Sequence, residues 1–258
     1  SYREFGSLGK TKYKTLIGHM CAASPGFDLD IKDQVRYSAW EHDFDSLVAV
    51  NAVPQLSTIR IPDDHTSGQR RGKIAPIAAV ADNDLAVGRL IEHLSKSPVW
   101  KQSVVFILED DAQNGPDHVD AHRSAVYVVG PYVKRNAVIH NMYSTSGVLR
   151  TMELILGLPP MSQYDAAAAP LYECFTSKAD FEPYKCLPAN IDLNLRNRAV
   201  NKSSRRSESF NFSKEDAAPD LALNEVIWKS VKGEDSVMPS PKRSAFVILE
   251  KKKKDDDD

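Results

Sequence analysis

Apolar residues in this chain gather in runs of two lengths, and each length predicts its own kind of element. Val104–Leu108 and Ala125–Val129 are short continuous apolar stretches bounded by polar turns, the pattern of buried strands. Gln55–Ile61 alternates apolar and polar residues and stops at Pro62, which predicts a third strand. Between the third strand and Val104, Pro76 opens a helix to about Ser95. Val87, Leu90, Ile91 and Leu94 share one face of it, and Pro98 lies beyond its end. A second helix takes Thr145 or Ser146 as its cap and aligns Val148, Leu149, Met152, Ile155 and Leu156. It ends at Gly157, ahead of Pro159 and Pro160. Asp220–Val231 reads as a shorter amphipathic helix anchored by Trp228.

The remaining stretches carry weaker patterns. Residues 1–50 read mostly as loop with short helices, anchored by Tyr2, Phe5, Tyr13, Phe27, Tyr37, Trp40 and Phe44; Gln34–Asp45 fits a helix and Ser46–Val53 fits helix or strand. Asp165, ahead of four alanines, fits the cap of a short helical turn. The polar stretch Asn194–Ser209 has the composition of a mobile connector. Residues 251–258, KKKKDDDD, predict a disordered tail, because a charge run has nothing to bury.

A strand, a helix and a strand in succession make a βαβ unit, so the expected fold is α/β, a partly parallel sheet flanked by helices. With 258 residues, no repeat and no linker, residues 1–250 read as one domain with a substantial core. A net charge of -2 gives no electrostatic reason to expect nucleic acid or an anionic membrane as partner. No apolar run approaches the ~20 residues of a membrane-spanning helix, and SYREFGSLGKTKYK lacks the apolar region of a signal peptide. Of the three cysteines, Cys21, Cys174 and Cys186, the last two are spaced for a small disulfide loop, but the odd count fits buried or free thiols equally.

Chemistry collects where strands stop. The 104–108 strand runs into Glu109, Asp110 and Asp111, and the loop that follows carries His118 and His122; the 55–61 strand runs into Asp63, Asp64 and His65. Carboxyl ends of strands in open α/β sheets are where ligands gather. Acids and imidazoles sharing a pocket would repel or take up protons, and a divalent cation is one way to hold them together. Mixed Asp/His donors suit Zn²⁺, Mn²⁺ or Fe and leave Mg²⁺ or Ca²⁺ open. The bland alternative makes them turn and cap acids that never meet.

The stretches PDDHTSG, ADNDLAVGR, LEDDAQNGPDHVDAHRSAVYVVGPYVKR and LRTMELILGLPPMSQYDAAAAP resemble the phosphoesterase family of the alkaline phosphatase superfamily, near its acid phosphatase and phospholipase C branch. The resemblance runs from SYREFG to LNEVIWKSVKG and implies an α/β/α sandwich with a mostly parallel central sheet. It also implies metal-dependent hydrolysis of a phosphate monoester or diester, a phospholipid head group included. On that pattern Asp64, His65, Asp110, Asp111 and His122 would bind the metal. Asp63 could stand in for Asp64, and His118 would face substrate or support a ligand. The family's early Asp and its Ser or Thr nucleophile are expected upstream of Ser1, so the chain reads as the C-terminal part of a longer enzyme with impaired activity by itself. The missing N-terminal part, or a β-propeller ahead of it, is an expected partner, and full-length relatives are periplasmic or secreted. A non-catalytic binding or structural module with the same sandwich is the competing expectation.

Overall fold

The computed structural model describes residues 1–6, 11–110, 115–117 and 119–243. Asp111, His118 and the 251–258 tail, three of the positions singled out by sequence, lie outside the described residues.

The architecture is mixed α/β. In chain order it runs β1 (Tyr2–Phe5), α1 (Asp33–Ala49), β2 (Leu56–Ile59), α2 (Pro76–Ser95), β3 (Val105–Leu108), β4 (Val126–Val129), α3 (Thr145–Leu156), α4 (Gln163–Ala167), α5 (Lys202–Glu208) and α6 (Asp220–Lys232). The strands form two separate ladders. β1 pairs with β2 in parallel, from Tyr2 opposite Leu56 to Phe5 opposite Ile59, and β3 pairs with β4 antiparallel, from Val105 opposite Val129 to Leu108 opposite Val126. The expected β2–α2–β3 succession is present. Its two strands take different neighbours, so the described residues hold small sheets and not one continuous parallel sheet.

One core nevertheless lies under both ladders. Tyr37, Trp40 and Phe44 of α1 and Ala86, Leu90, Ile91 and Leu94 of α2 bury together with Phe5 and Trp100, and Ile59, Val105, Ile107 and Val129 pack onto that cluster. Alternation along β3 and β4 sends Phe106 and Val128 to the opposite face. There they meet Val148 and Met152 of α3 with Leu171 and Cys174. Helices therefore lie against both faces of the β3–β4 ladder at its Val105–Val129 end, while Leu108, Val126 and Tyr127 at the other end are exposed.

α2 keeps the boundaries its punctuation predicts, opening at Pro76, and α3 ends at the expected Gly157, left-handed at φ 68°; the cap of α3 is Ser144 and not Thr145 or Ser146, because it is the Ser144 hydroxyl that accepts the Gly147 N–H. Three further readings need correction. The expected Gln34–Asp45 helix is present but longer, as α1 from Asp33 to Ala49, and the segment read as loop ahead of it holds a paired strand, β1. Residues 202–208 form α5 inside the stretch read as a connector. Asn201 caps it in a reciprocal capping box with Ser204, and Ser203, Ser204 and Ser207 are buried. At α4 the cap is Ser162, and Asp165 instead turns back to accept from Met161 N–H and the Ser162 hydroxyl.

Cys174 packs in the second core and Cys186 lies with its sulfur against Gly88; all three cysteines are free thiols. No helix among the described residues is long and apolar enough to cross a membrane.

Candidate functional site

Two strand ends carry the candidate residues, and the first is the turn after β2. Asp63, Asp64 and His65 form a single 3-10 turn, and neighbouring residues of like chemistry are sent to opposite places. Asp63 is 5% exposed and its backbone N–H donates to Asp33 Oδ2 at 3.0 Å. Asp64 keeps an exposed surface. Desolvation of its carboxyl raises its proton affinity, with His65 pulling the other way. His65 is half-buried, and the Phe27 ring stands edge-on to it with centroids 5.5 Å apart.

The turn closes on an unusual backbone. Thr66 adopts φ 56° and ψ 163°, a region that costs a β-branched residue roughly 1–3 kcal/mol and persists only where the surroundings over-determine it. They do so here. The Thr66 hydroxyl accepts the Gly68 N–H at 3.0 Å, the Ser207 hydroxyl of α5 accepts Gln69 N–H at 2.9 Å, and the Gln69 side-chain amide donates to Val226 O of α6 at 2.8 Å. Gly68 is required at this point: with φ 56°, an added Cβ would lie 2.9 Å from Ser207 Oγ.

Beneath the turn lies a buried charge network that sequence inspection did not find. Asp33, Asp63 and Asp82 form one buried cluster with a single guanidinium, Arg36, with exposures of 0, 5, 1 and 2%, and it is Asp33 that pairs with the guanidinium. Arg36 is bound to Asp33 Oδ1 at 3.1 Å and donates to the carbonyls of Gly26, Asp28 and Ile31. Asn83 donates to Asp33 Oδ2 at 2.9 Å and to Ile61 O at 2.7 Å. Three carboxylates clustered with one cation cannot all remain ionised in a dry interior. Burial pushes Asp33 up to about 6, against Asn83, the Asp63 N–H and Arg36, and pushes Asp63 up to about 8, helped by the charges of Asp33 and Asp82. Among the described residues no donor reaches the buried Asp82 Oδ1, and hydrogen bonding to Asp82 is one of the causes that raise the neighbouring Asp63 carboxyl. A proton held by Asp63 at neutral pH completes that pair. Of the neighbouring polar residues Asp82, Asn83 and Asp84 on α2, only Asp84 is exposed.

The second strand end follows β3. The ladder continues one bond past Leu108, as Glu109 N–H donates to Ala125 O at 3.3 Å, and leaves Asp110 exposed at its end. In the loop before β4, Asp117 accepts the N–H groups of Val119 at 2.6 Å and Asp120 at 2.9 Å, which hold its carboxyl down at about 2, and it pairs with Arg123 at 3.1 Å. Ala121 N–H donates to Lys242 O at 2.7 Å. Between these anchors His122 is exposed, with Nδ1 2.8 Å from Asp120 Oδ1. A carboxylate at Nδ1 fixes the tautomer that leaves Nε2 bare, the arrangement by which proteins orient metal-binding imidazoles. Asp120, two residues before His122, was passed over in the sequence; the D-x-H spacing was its available signal.

The two strand ends share the core beneath them, through Ile59 on one side and Val105 and Ile107 on the other. Among the described residues no three His, Cys, Asp or Glu side chains converge as a metal-ligand set. In kind the donors fit a divalent cation: Asp64, His65, Asp110 and His122 offer oxygen and nitrogen, and Asp63 alone is committed to the buried network. No family model and no curated protein matches this chain. The likeness to phosphoesterases therefore rests on the motifs themselves.

Proposed function

We propose that this chain is a metal-dependent phosphoesterase domain whose two ladders belong to an α/β/α sandwich. In this reading Asp64, His65, Asp110 and His122 bind a divalent cation, with Asp111 as a further ligand and His118 in a substrate-facing or supporting role. When bound, the cation supplies Lewis-acid stabilisation of charge on a phosphoryl oxygen. The protein's own part is to hold the donors. The Thr66 turn fixes Asp64 and His65, Asp120 orients His122, and Asp117 with Arg123 shapes the loop around it.

The observation that carries this reading is the His122–Asp120 pair at 2.8 Å, a support for an exposed imidazole that a merely solvated turn does not need. Isothermal titration with MnCl2 and ZnCl2, together with hydrolysis of p-nitrophenyl phosphate, tests it. Metal binding that His122→Ala and Asp110→Asn abolish is the expected result. Binding and stability indifferent to both substitutions would mean a non-catalytic module with the same architecture.

A further inference from the structure

A net charge of -2 hides an uneven distribution. From Leu193 to Ser207 the chain carries Arg196, Arg198, Lys202, Arg205 and Arg206 and no acid, with Asp192 and Glu208 at its limits. The stretch is tied down along its length. Asn197 N–H donates to Lys73 O at 2.9 Å, and the Asn197 side-chain amide donates to the carbonyls of Gly68 and Arg70 at 3.0 Å each. The Arg196 guanidinium donates to Gly72 O at 2.7 Å and Gly72 N–H donates to Asn197 O at 2.9 Å, which brings Arg71 alongside the same segment. The Asn201 capping box then turns the chain into α5. Its serine side is buried, and Lys202 and Arg205, three positions apart, are exposed on one face.

Neighbouring charges are offset: Arg70 pairs with Glu208 at 3.4 Å and Arg206 with Glu225 at 2.5 Å. Arg71, Arg196, Arg198, Lys202 and Arg205 are exposed and form no ion pair among the described residues. Glu234 reaches the start of α5, where it accepts the Ser203 N–H at 3.1 Å, and is one carboxylate against five cations. Aliphatic tips stand among these cations. Leu195, just before Arg196, is 44% exposed, and Val200, between Arg198 and Lys202, is 60% exposed. The stretch has no aromatic side chain on which a nucleic-acid base could stack. Cations around exposed aliphatic tips match a surface of anionic head groups over an apolar interior.

We propose that this face is a docking surface for an anionic lipid bilayer, with the five cations against head-group oxygens and Leu195 and Val200 reaching the first acyl carbons. The inference goes beyond the phosphoesterase reading and does not depend on it, since none of these residues is a candidate metal ligand. Attraction of this kind acts within a screening length of about 10 Å at 0.1 M salt, so docking is reversible and salt-sensitive. The cations supply most of the affinity. The two aliphatic tips distinguish a bilayer from a soluble polyanion.

The test is co-sedimentation of the full chain with vesicles of phosphatidylcholine alone and of phosphatidylcholine mixed with phosphatidylserine, in EDTA, at about 50 and about 500 mM NaCl. Binding is expected on the phosphatidylserine vesicles at low salt and should vanish at high salt and on phosphatidylcholine alone. Arg198→Gln should weaken it roughly fivefold, and the triple variant Arg198→Gln, Lys202→Gln, Arg205→Gln about a hundredfold. Val200→Ser should weaken vesicle binding and leave the binding of a single-stranded oligonucleotide, read by fluorescence anisotropy, unchanged. No sedimentation with phosphatidylserine vesicles, or binding that survives the triple variant, would overturn the proposal. Tighter binding of the oligonucleotide than of vesicles, with no effect of Val200→Ser on either, would assign the face to nucleic acid and overturn it as well. Because EDTA removes divalent cations, either result leaves the manganese titration of the metal site to be judged separately.

Discussion

Asp82 Oδ2, in the middle of α2, accepts the backbone N–H of Asp33 at 2.7 Å and so caps the N-terminus of a different helix, α1. The residue that would cap α1 locally is Lys32, whose side chain makes no capping bond, and a second N–H, from Gln34, reaches the same oxygen at 3.4 Å. A buried carboxylate thus satisfies orphan donors that the local sequence leaves open. Asp82→Ala is expected to cost about 2–3 kcal/mol in urea denaturation, since it strips a charged acceptor from buried N–H groups. A cost below about 0.5 kcal/mol, the range of ordinary surface substitutions, would show that the cap contributes nothing.

The same network makes stability depend on pH. Asp33 and Asp63 bind protons more tightly in the folded protein, at about 6 and about 8, than an ordinary aspartate does. Raised values mean that their stabilising contribution is complete below the unfolded pKa near 4 and is lost as pH rises through the folded values. Unfolding free energy should therefore fall between about pH 4 and 8, on the order of 1 kcal/mol per pH unit for each titrating proton. Asp63→Asn imitates the protonated acid and should flatten the part of the slope above pH 6. A stability profile that rises across this window in the native chain would contradict the assignment.

How far sequence reaches is visible in these elements. α2 and α3 were legible because aliphatic residues repeat at helical spacing and Pro76 and Gly157 mark their limits. α1 was only partly legible, since its buried positions are Asp33, Arg36, Tyr37, Trp40 and Phe44, a mixture of charge and aromatics that blurs the apolar period. α5 was missed because its buried side is made of serines whose hydroxyls are spent on backbone. At the candidate site, acids at strand ends could be read directly. The separation of Asp63 from Asp64 could not, because a turn sends adjacent carboxyls of identical chemistry in different directions. The ring contact of Phe27 with His65 joins positions far apart in the chain, and no local pattern announces such a meeting.

Close approach of α3 to the segment after α4 gives a third prediction. A Cβ on Gly147 would lie 2.6 Å from Ala169 O, a backbone atom that cannot swing aside as a side chain would. The same turn of α3 is tied down, with Thr151 Oγ1 donating to Gly147 O at 2.7 Å and accepting Leu171 N–H at 2.9 Å. Gly147→Ala would raise helix propensity but force the two segments apart, a net loss of about 1–3 kcal/mol. Thermal melts should show a lower Tm, and an unchanged or higher one would mean that the 169–171 segment yields freely.

The last prediction separates support from ligation at His122. Asp120 binds the imidazole through Nδ1 and also accepts the His122 backbone N–H at 2.9 Å, so it sets both the ring's tautomer and the loop's shape. If Nε2 is the metal-binding atom, Asp120→Ala leaves a ligand that must find its orientation unaided. Affinity for Mn²⁺ or Zn²⁺ should then drop by about 10–100-fold, the usual cost of losing such a partner. Asp120→Asn keeps a hydrogen-bond acceptor and should fall between the two, whereas His122→Ala should remove the ligand entirely. A graded series in titration calorimetry is what an oriented ligand produces. Equal losses for all three variants would reveal collapse of the loop, and no loss in any of them would place His122 outside the metal site.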